Sequence, residues 1–424
     1  MKKNIIYFFK RLSEKLWLKP LIFCVLSVAV ALLAALFAHL ADNSLNADVV
    51  PDIKKSSVEN LLSTISASML VIAIFAVGAM LAAFSAASVT ATPRSFKLIV
   101  ADDLSQNALS VFIGSFIYSI VAKIALQNSY YGKAGNFTFF ILTLAVFAVV
   151  IITFLSWVER ISKLGRLGHT IKKIEEATAN AIRERKAEPL MGGVPVINRP
   201  NKGTPVYGNR IGYIQHINME KLQEIALELD ISFLLNCVPG TFTAPDNPLI
   251  YLISGKSNVL NEKIEQLNKA FEINDNRSFH DDPRFGLIAL SEIASRALSP
   301  GVNDPGTAIA ILGSHVRMFA LWIKDEFNQN NQKPKYDRVE VPEISMADML
   351  DDAFRPIARD GAGNLEVMLR LQKALASIAF IGTAEVKELA ISHSHLAYKR
   401  AELEMGFSRD QEILKEKCAF NIIV

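Results

Sequence analysis

Cysteine is scarce in this chain of 424 residues: only Cys24, Cys237 and Cys418, far apart and without a C-x-x-C pair. An odd, sparse set excludes a disulfide framework and a thiolate zinc site, and it fits a reducing compartment around Cys237 and Cys418. Charged residues are also few, at 21%, against 51% from the hydrophobic set. That composition is too apolar for disorder or for an average soluble protein. No P-loop, G-x-S-x-G, H-E-x-x-H or dinucleotide G-x-G-x-x-G occurs, so the common phosphate, hydrolase and metalloprotease chemistries have no foothold. Gly165-Arg166-Leu167-Gly168 is no phosphate loop, since it lies in a basic helical stretch rather than after a strand. No cofactor is expected, and an enzyme is not required by any pattern. A net charge of +3 offers no global field for nucleic acid. That balance hides an asymmetry: residues 1–186 carry 20 basic and 11 acidic side chains, residues 187–424 carry 25 and 31.

What is present is apolar length. Leu21–Leu40, Leu61–Val89 and Phe137–Val158 hold no Asp, Glu, Lys or Arg, and Ala108–Leu126 holds Lys123 alone. About 20 apolar residues cross a hydrocarbon core roughly 30 Å thick, and only helices or closed barrels satisfy the backbone there. Four transmembrane helices are therefore expected at 21–40, 61–89, 108–126 and 137–158. Lysine and arginine crowd the first flank (Lys2, Lys3, Lys10, Arg11, Lys15, Lys19) and the segment after the fourth run (Arg160, Lys163, Arg166, Lys172, Lys173, Arg183, Arg185, Lys186). The positive-inside rule then predicts both termini in the cytoplasm, with four crossings. Lys123 and His39 read as side chains reaching for the interface. The absence of acidic residues from all four runs weakens a proton-relay pump.

The second run carries small residues at i, i+4 spacing: Gly78, Ala82, Ala86 and, alongside, Ala79, Ala83. Such stripes let helices approach closely. With the hydroxyls of Ser66, Ser85 and Ser88 they admit two readings, tight packing within a bundle or homo-oligomer, or a helix lining a polar conduit.

Beyond the runs, Glu159–Lys186 reads as a basic amphipathic helix, and the Gly/Pro-rich stretch 188–205 as a junction. The expected organisation is a membrane domain at 1–186, a small β-rich module at 187–257 and a mostly helical cytoplasmic domain at 258–424. In the module, Arg210–Ile217 and Ile231–Val238 are strand-like around a helical Met219–Glu228. Gly240 through Leu249 resembles one hairpin of a lipoyl-type barrel-sandwich, without the lysine a covalent carrier needs. In the last part, Asp282-Pro283 and Asn303-Asp304-Pro305 open two helices, the aspartate capping and the proline occupying the first position. Further helices are expected over Met346–Ile357, Asn364–Ile381, Ala384–Met405 and Ser408–Lys417.

Several of these strings occur together: Ala91-Thr92-Pro93-Arg94-Ser95-Phe96, Gly114-Ser115-Phe116-Ile117-Tyr118, Asp281-Asp282-Pro283-Arg284-Phe285-Gly286-Leu287, and Ala297 to Ala308. In combination the chain resembles the bacterial predicted-membrane-protein family known as domain-of-unknown-function family 2254. That resemblance implies a multi-pass inner-membrane protein of bacteria and carries over no reaction.

The densest polar constellation is His280, Asp281, Asp282, Arg284, Arg296, Asn303, Asp304 and Thr307. Two facing helix N-termini would bind a small anion. His280 with the two aspartates would suit a divalent ion. Capping plus an Arg–Asp lock explains the same residues with no ligand at all. His393 and His395, at i, i+2 on a helix, point apart. Three functional readings remain: an oligomeric channel or transporter-like assembly gated by its cytoplasmic domain; a membrane-anchored sensor or scaffold binding a small anion or metal; and a membrane-bound enzyme using His280 and Asp281.

Overall fold

The computed structural model describes residues 17–44, 51–95, 98, 103–128, 132–161, 163, 166–198, 203–254, 260–324, 333–418 and 420. The chain divides into two compact units, Lys2–Thr170 and Ile171–Val424.

The first unit is built on helices α1 (Leu18–Ser44), α2 (Lys55–Thr90), α3 (Asp103–Asn128) and α4 (Lys133–Ile161), with a short 3-10 turn at Pro93–Ser95. Their directions alternate, as the two core clusters demonstrate. One joins Ala31, Ala34 and Ala38 late in α1 to Val58 and Leu62 early in α2, Tyr118, Ala122 and Leu126 late in α3, and Phe139 early in α4. The other joins Ile65, Met69 and Ala76 of α2 to Ala108 and Phe112 early in α3 and to Val150 and Trp157 late in α4. Small residues set the closest approach: a Cβ on Gly114 of α3 would lie 2.8 Å from Ser27 Oγ of α1. Leu21, Val25, Leu32, Phe37, Val71, Ile74, Phe75, Ile152 and Leu155 point outward, as lipid-facing side chains do.

Helix α5 (Leu167–Ala187) belongs to the second unit from Ile171 onward. Eight strands and eight helices follow: β1 (Val194–Pro195), β2 (Thr204–Tyr207), β3 (Gly212–Ile217), α6 (Met219–Leu229), β4 (Ser232–Leu235), β5 (Phe242–Thr243), β6 (Pro248–Ser254), α7 (Leu260–Asn268), β7 (Phe271–Asn274), α8 (Pro283–Ala297), α9 (Pro305–Ile323), β8 (Val339–Val341), α10 (Met346–Asp360), α11 (Leu365–Ile381), α12 (Ala384–Glu404) and α13 (Ser408–Lys417). One sheet runs β1-β8-β4-β6-β2, the other β5-β3-β7. Within the larger sheet β8 is parallel to β1 and to β4, while β6 is antiparallel to β4 and β2. Ile214, Leu222, Phe233, Leu235, Ile250 and Val339 form the core beneath the sheets. Helices α8 to α12 pack with Leu287, Leu312, Phe319, Phe354, Leu371 and Leu375 fully buried.

Three expectations are corrected here. Five helices, not four, are long and apolar enough to cross a membrane. The fifth is α9, far downstream of the others, whose only charged side chain is Arg317. Its polar Ser314 and His315 are buried, and at 19 residues it too is long and apolar enough to cross a membrane. The fold is thus helical with several membrane-length helices and a mixed α/β C-terminal region, rather than four spans and a purely cytoplasmic remainder. Second, the lipoyl-type hairpin does not form: β5 pairs with β3 and β6 with β2 and β4, in different sheets. Third, α4 and α5 are two helices, with Ile161 ending one and Leu167 starting the other, rather than one helix over 159–186.

Candidate functional site

Asp282 is the centre of the polar construction. As N-cap of α8 it accepts from the Phe285 backbone N–H at 3.2 Å, and only 3% of it is exposed. A carboxylate there complements the helix dipole. Arg277 clamps both of its oxygens, Nε to Oδ2 at 2.7 Å and Nη2 to Oδ1 at 2.9 Å. The same guanidinium lies 5.6 Å from the centre of the Phe285 ring, which itself packs at 4.4 Å on Phe279. Above the pair runs the turn at Gly240, with φ +95°. A Cβ at that position would overlap Asp282 Oδ2 and lie 2.7 Å from Arg277 Nη2, so glycine is required on both counts.

Beside this clamp, His216 of β3 meets Asp281 through Nδ1 and Oδ2 at 2.6 Å. Arg185 of α5 donates through Nη2 to the Asp281 carbonyl oxygen at 3.2 Å. It is 6% exposed, and its Nη1 is buried without a hydrogen-bond partner. Burial lowers the Arg185 pKa below its ordinary value, against the opposing pull of the Asp281 and Asp282 charges.

The rest of the Asp-Pro-Arg-Phe-Gly-Leu string is equally occupied. Pro283 takes the first helical position. Arg284 bridges to α10, Nη1 to Asp348 Oδ2 at 2.6 Å and Nε to Asp352 Oδ2 at 2.7 Å. Burial raises the Asp352 pKa above the usual carboxylate range, although the Arg284 hydrogen bond opposes it. Gly286 sits where α8 meets α5: a Cβ would overlap Thr178 Oγ1 and lie 2.7 Å from Thr178 Cβ. Leu287 is fully buried.

The second polar group forms elsewhere. Asp304 caps α9, accepting from Thr307 N at 3.1 Å and Thr307 Oγ1 at 2.5 Å. The Thr307 hydroxyl bond, then its backbone N–H, holds the Asp304 carboxyl below its ordinary pKa. Asn303 takes the left-handed conformation (φ 49°), and the Asp304 N–H bonds to Ala297 O at 2.7 Å. Ala297 ends α8, so the start of α9 lies beside the end of α8. A helix rising 1.5 Å per residue puts Asp304 roughly 21 Å from Asp282.

The eight predicted residues therefore separate into two groups. His280, Asp281, Asp282 and Arg284 lie at one end of α8; Arg296, Asn303, Asp304 and Thr307 lie at the other. Asp281 pairs with His216 rather than converging with His280 and Asp282 on an ion. Among the described residues no group of three or more His, Cys, Asp or Glu could hold a metal. Sequence reasoning missed His216, Gly240, Arg277 and Arg185. Arg185 had a signal, since it falls on the buried face of α5 with Ile174, Thr178 and Ile182. An arginine on an apolar face marks a buried partner.

Of the two small-residue stripes of α2, one turns outward and the other packs against the bundle core. Gly78, Ala82, Ser85 and Ala86 are exposed, with nothing within 4 Å of a Cβ on Gly78. Ala79 and Ala83 are half-buried, and half-buried Ser66 donates to Ser63 O at 3.1 Å. The side chain of Ser88 lies outside the described residues. Polar groups inside the bundle sit instead on α3. Gln106, Ser110, Ser115 and Ser119 are buried there with Thr143 of α4. Tyr118 and Thr143 share a hydrogen bond of 3.4 Å, and Ser119 Oγ has no hydrogen-bond partner.

Several apolar, membrane-length helices joined to a mixed α/β C-terminal region define a multi-pass membrane protein. The chain matches the family described as "Predicted membrane protein (DUF2254)" over residues 13–377, and it belongs to that family. It is similar to an uncharacterized protein of Mycobacterium bovis, 25% identical over 242 residues, covering 52% of this chain and 43% of that protein. Two uncharacterized proteins of Mycobacterium tuberculosis match with the same identity and coverage. The matched stretch thus spans less than half the length of these relatives. No solved structure matches the chain.

Proposed function

We propose that the protein is the subunit of an oligomeric channel or transporter-like assembly whose C-terminal unit regulates its membrane helices. The path of the chain carries this reading. Five residues separate the end of α4 from the start of α5, and α5 is fastened to the rest of the second unit at several points. Glu175 holds Arg317 of α9 by two bonds of 2.6 and 2.7 Å, Thr178 fills the space at Gly286, and Arg185 reaches Asp281. A ligand or proton that shifts α8 or α9 acts on α5, and through it on the peptide leading into the membrane helix. The buried hydroxyls of α3 supply polar groups away from lipid, as a conducting subunit needs. By the positive-inside rule, the end of the bundle bearing Leu18 and Ile161 faces the cytoplasm.

The test is reconstitution of the full chain into vesicles, with flux of cations, anions and small solutes measured beside cross-linking of the purified protein. A cross-linked oligomer with flux above protein-free vesicles, altered by Arg185→Lys, is expected. A monomer, or no flux under any voltage or ligand, overturns the proposal.

A membrane-anchored sensor is the second reading, favoured by the buried Nη1 of Arg185 at the start of α8. It requires inorganic phosphate or sulfate to raise the melting temperature of the detergent-solubilised chain, and Arg185→Lys to reduce that shift. No shift with either anion defeats it.

A further inference from the structure

The alternation of α1 to α4 gathers charge at one end of the first unit. Leu18, Thr90, Asp103 and Ile161 bound that end; Ser44, Lys55, Asn128 and Lys133 bound the other. Among the described residues, the stretches at the first end (17–20, 90–95, 98, 103–104, 159–161, 163 and 166–170) contain five Lys or Arg against two Asp or Glu. Those at the opposite end (41–44, 51–60, 123–128 and 132–133) contain four Lys or Arg and three Asp or Glu.

Within the described residues the basic end presents Arg94 on the 3-10 turn, and Lys163 and Arg166 just beyond α4, all exposed to solvent. Lys163 reaches back to Glu159 at 2.6 Å, but half its side chain stays exposed. Such an exposed pair holds its partners weakly and leaves the ammonium able to bind elsewhere. At the same end Trp17 is 55% exposed at the entrance to α1, where an indole suits the headgroup layer. Outward-facing Leu21, Ile22, Val25, Leu155 and Val158 on the adjoining turns of α1 and α4 fix the depth, since they belong in hydrocarbon. Lys163 and Arg166, just beyond Ile161, therefore lie near the height of lipid phosphates, while Arg94 follows the part of α2 that runs on past Met80 and Phe84, which pack at the level of Ile161.

We propose that this end of the bundle binds the headgroups of anionic phospholipids, with Arg94, Lys163 and Arg166 as the contacts. The charge is complementary to such a leaflet, and each basic residue near the surface strengthens binding by about fivefold. The attraction weakens with ionic strength. It holds whether or not the assembly conducts.

Lipid selectivity of the full chain tests this directly, using a labelled phosphatidylglycerol and a labelled phosphatidylcholine in otherwise identical vesicles. A several-fold preference for phosphatidylglycerol at low salt is expected, reduced at about 0.5 M salt. The triple variant Arg94→Gln, Lys163→Gln, Arg166→Gln is expected to lose most of it. Its counterpart at the opposite end, Lys54→Gln, Lys55→Gln, Lys133→Gln, is expected to keep it. Equal association of the two lipids, a preference surviving the first variant, or an equal loss in the second overturns the proposal. Helical circular dichroism of each variant separates lost lipid contacts from lost fold.

Discussion

Arg185 and Asp281 meet across 96 residues of sequence, the guanidinium of α5 donating to the backbone carbonyl just before α8 at 3.2 Å. The contact gathers four segments, because Asp281 also holds His216 of β3 while its neighbour Asp282 holds Arg277 beneath the Gly240 turn. Removing the cation leaves two carboxylates less compensated in a poorly solvated place. Arg185→Met is expected to destabilise the second unit by about 3 kcal/mol, the range for breaking a buried charge network. Arg185→Lys should fall between it and the native chain, since an ammonium lacks the guanidinium fork. Differential scanning calorimetry of the full chain reads both. An unchanged melting temperature in Arg185→Met would show that the network adds nothing to stability.

The crossing of α5 and α8 rests on one missing methyl. Gly286→Ala puts a Cβ onto the Thr178 side chain, and the backbone of neither helix can yield freely. Overpacking of this kind costs about 1–3 kcal/mol. Adding Thr178→Ala to Gly286→Ala is expected to recover part of the loss, a coupling that a double-mutant cycle in denaturant measures.

Arg284 offers a separate test of what the Asp-Pro-Arg-Phe-Gly-Leu string does. Its two carboxylate partners on α10 are Asp348, half exposed, and Asp352, 17% exposed. Arg284→Gln is expected to cost about 2 kcal/mol, mostly through Asp352, whose buried charge loses its counterion. Asp352→Asn in the Arg284→Gln background should restore stability, and Asp348→Asn should restore little.

A pH dependence follows from His393 of α12, whose Nε2 lies 3.4 Å from Asp351 Oδ1. Burial holds the imidazole below its ordinary value of 6.5, outweighing the attraction of Asp351. The unfolded chain therefore binds the proton first, and stability falls as pH drops through 6.5 toward the folded value. Denaturation midpoints measured between about pH 7.5 and 5.5 should fall less steeply in His393→Gln.

In the first unit, Gly114→Val is expected to separate α1 from α3. The new side chain would meet Ser27 Oγ at 2.8 Å and the Phe23 carbonyl at 3.5 Å. The check is loss of a monodisperse species in detergent, partly rescued by Ser27→Gly.

The helices of this protein were legible wherever a local signal was strong. The Asp282 and Asp304 caps, with proline following each, start α8 and α9 as their spacing predicts. Ser345, Asn364 and Thr383 likewise cap α10, α11 and α12 through their side chains. The short strands β7 and β8 were not legible in the C-terminal stretch. Three or four residues carry too little periodicity, and β8 becomes a strand only by pairing with β1 and β4, both about a hundred residues or more earlier. The candidate site divided for a related reason. Asp282 and Asp304 look alike and lie close in sequence, but a helix of fifteen residues keeps its two ends apart.

Sequence alone determined the membrane character, because apolar run length is a local property measured against the thickness of a bilayer. It also determined the family, whose motifs can be read along the chain. Tertiary structure decided which polar residues share a centre. Arg185, His216 and Gly240 join Asp281 and Asp282 from three distant segments, with Arg277 from their own loop, and no periodicity encodes such a meeting. It likewise turned one small-residue stripe of α2 outward and buried the hydroxyls of α3. The direction a helix face takes depends on which neighbours pack against it, and that is settled only when the whole bundle closes.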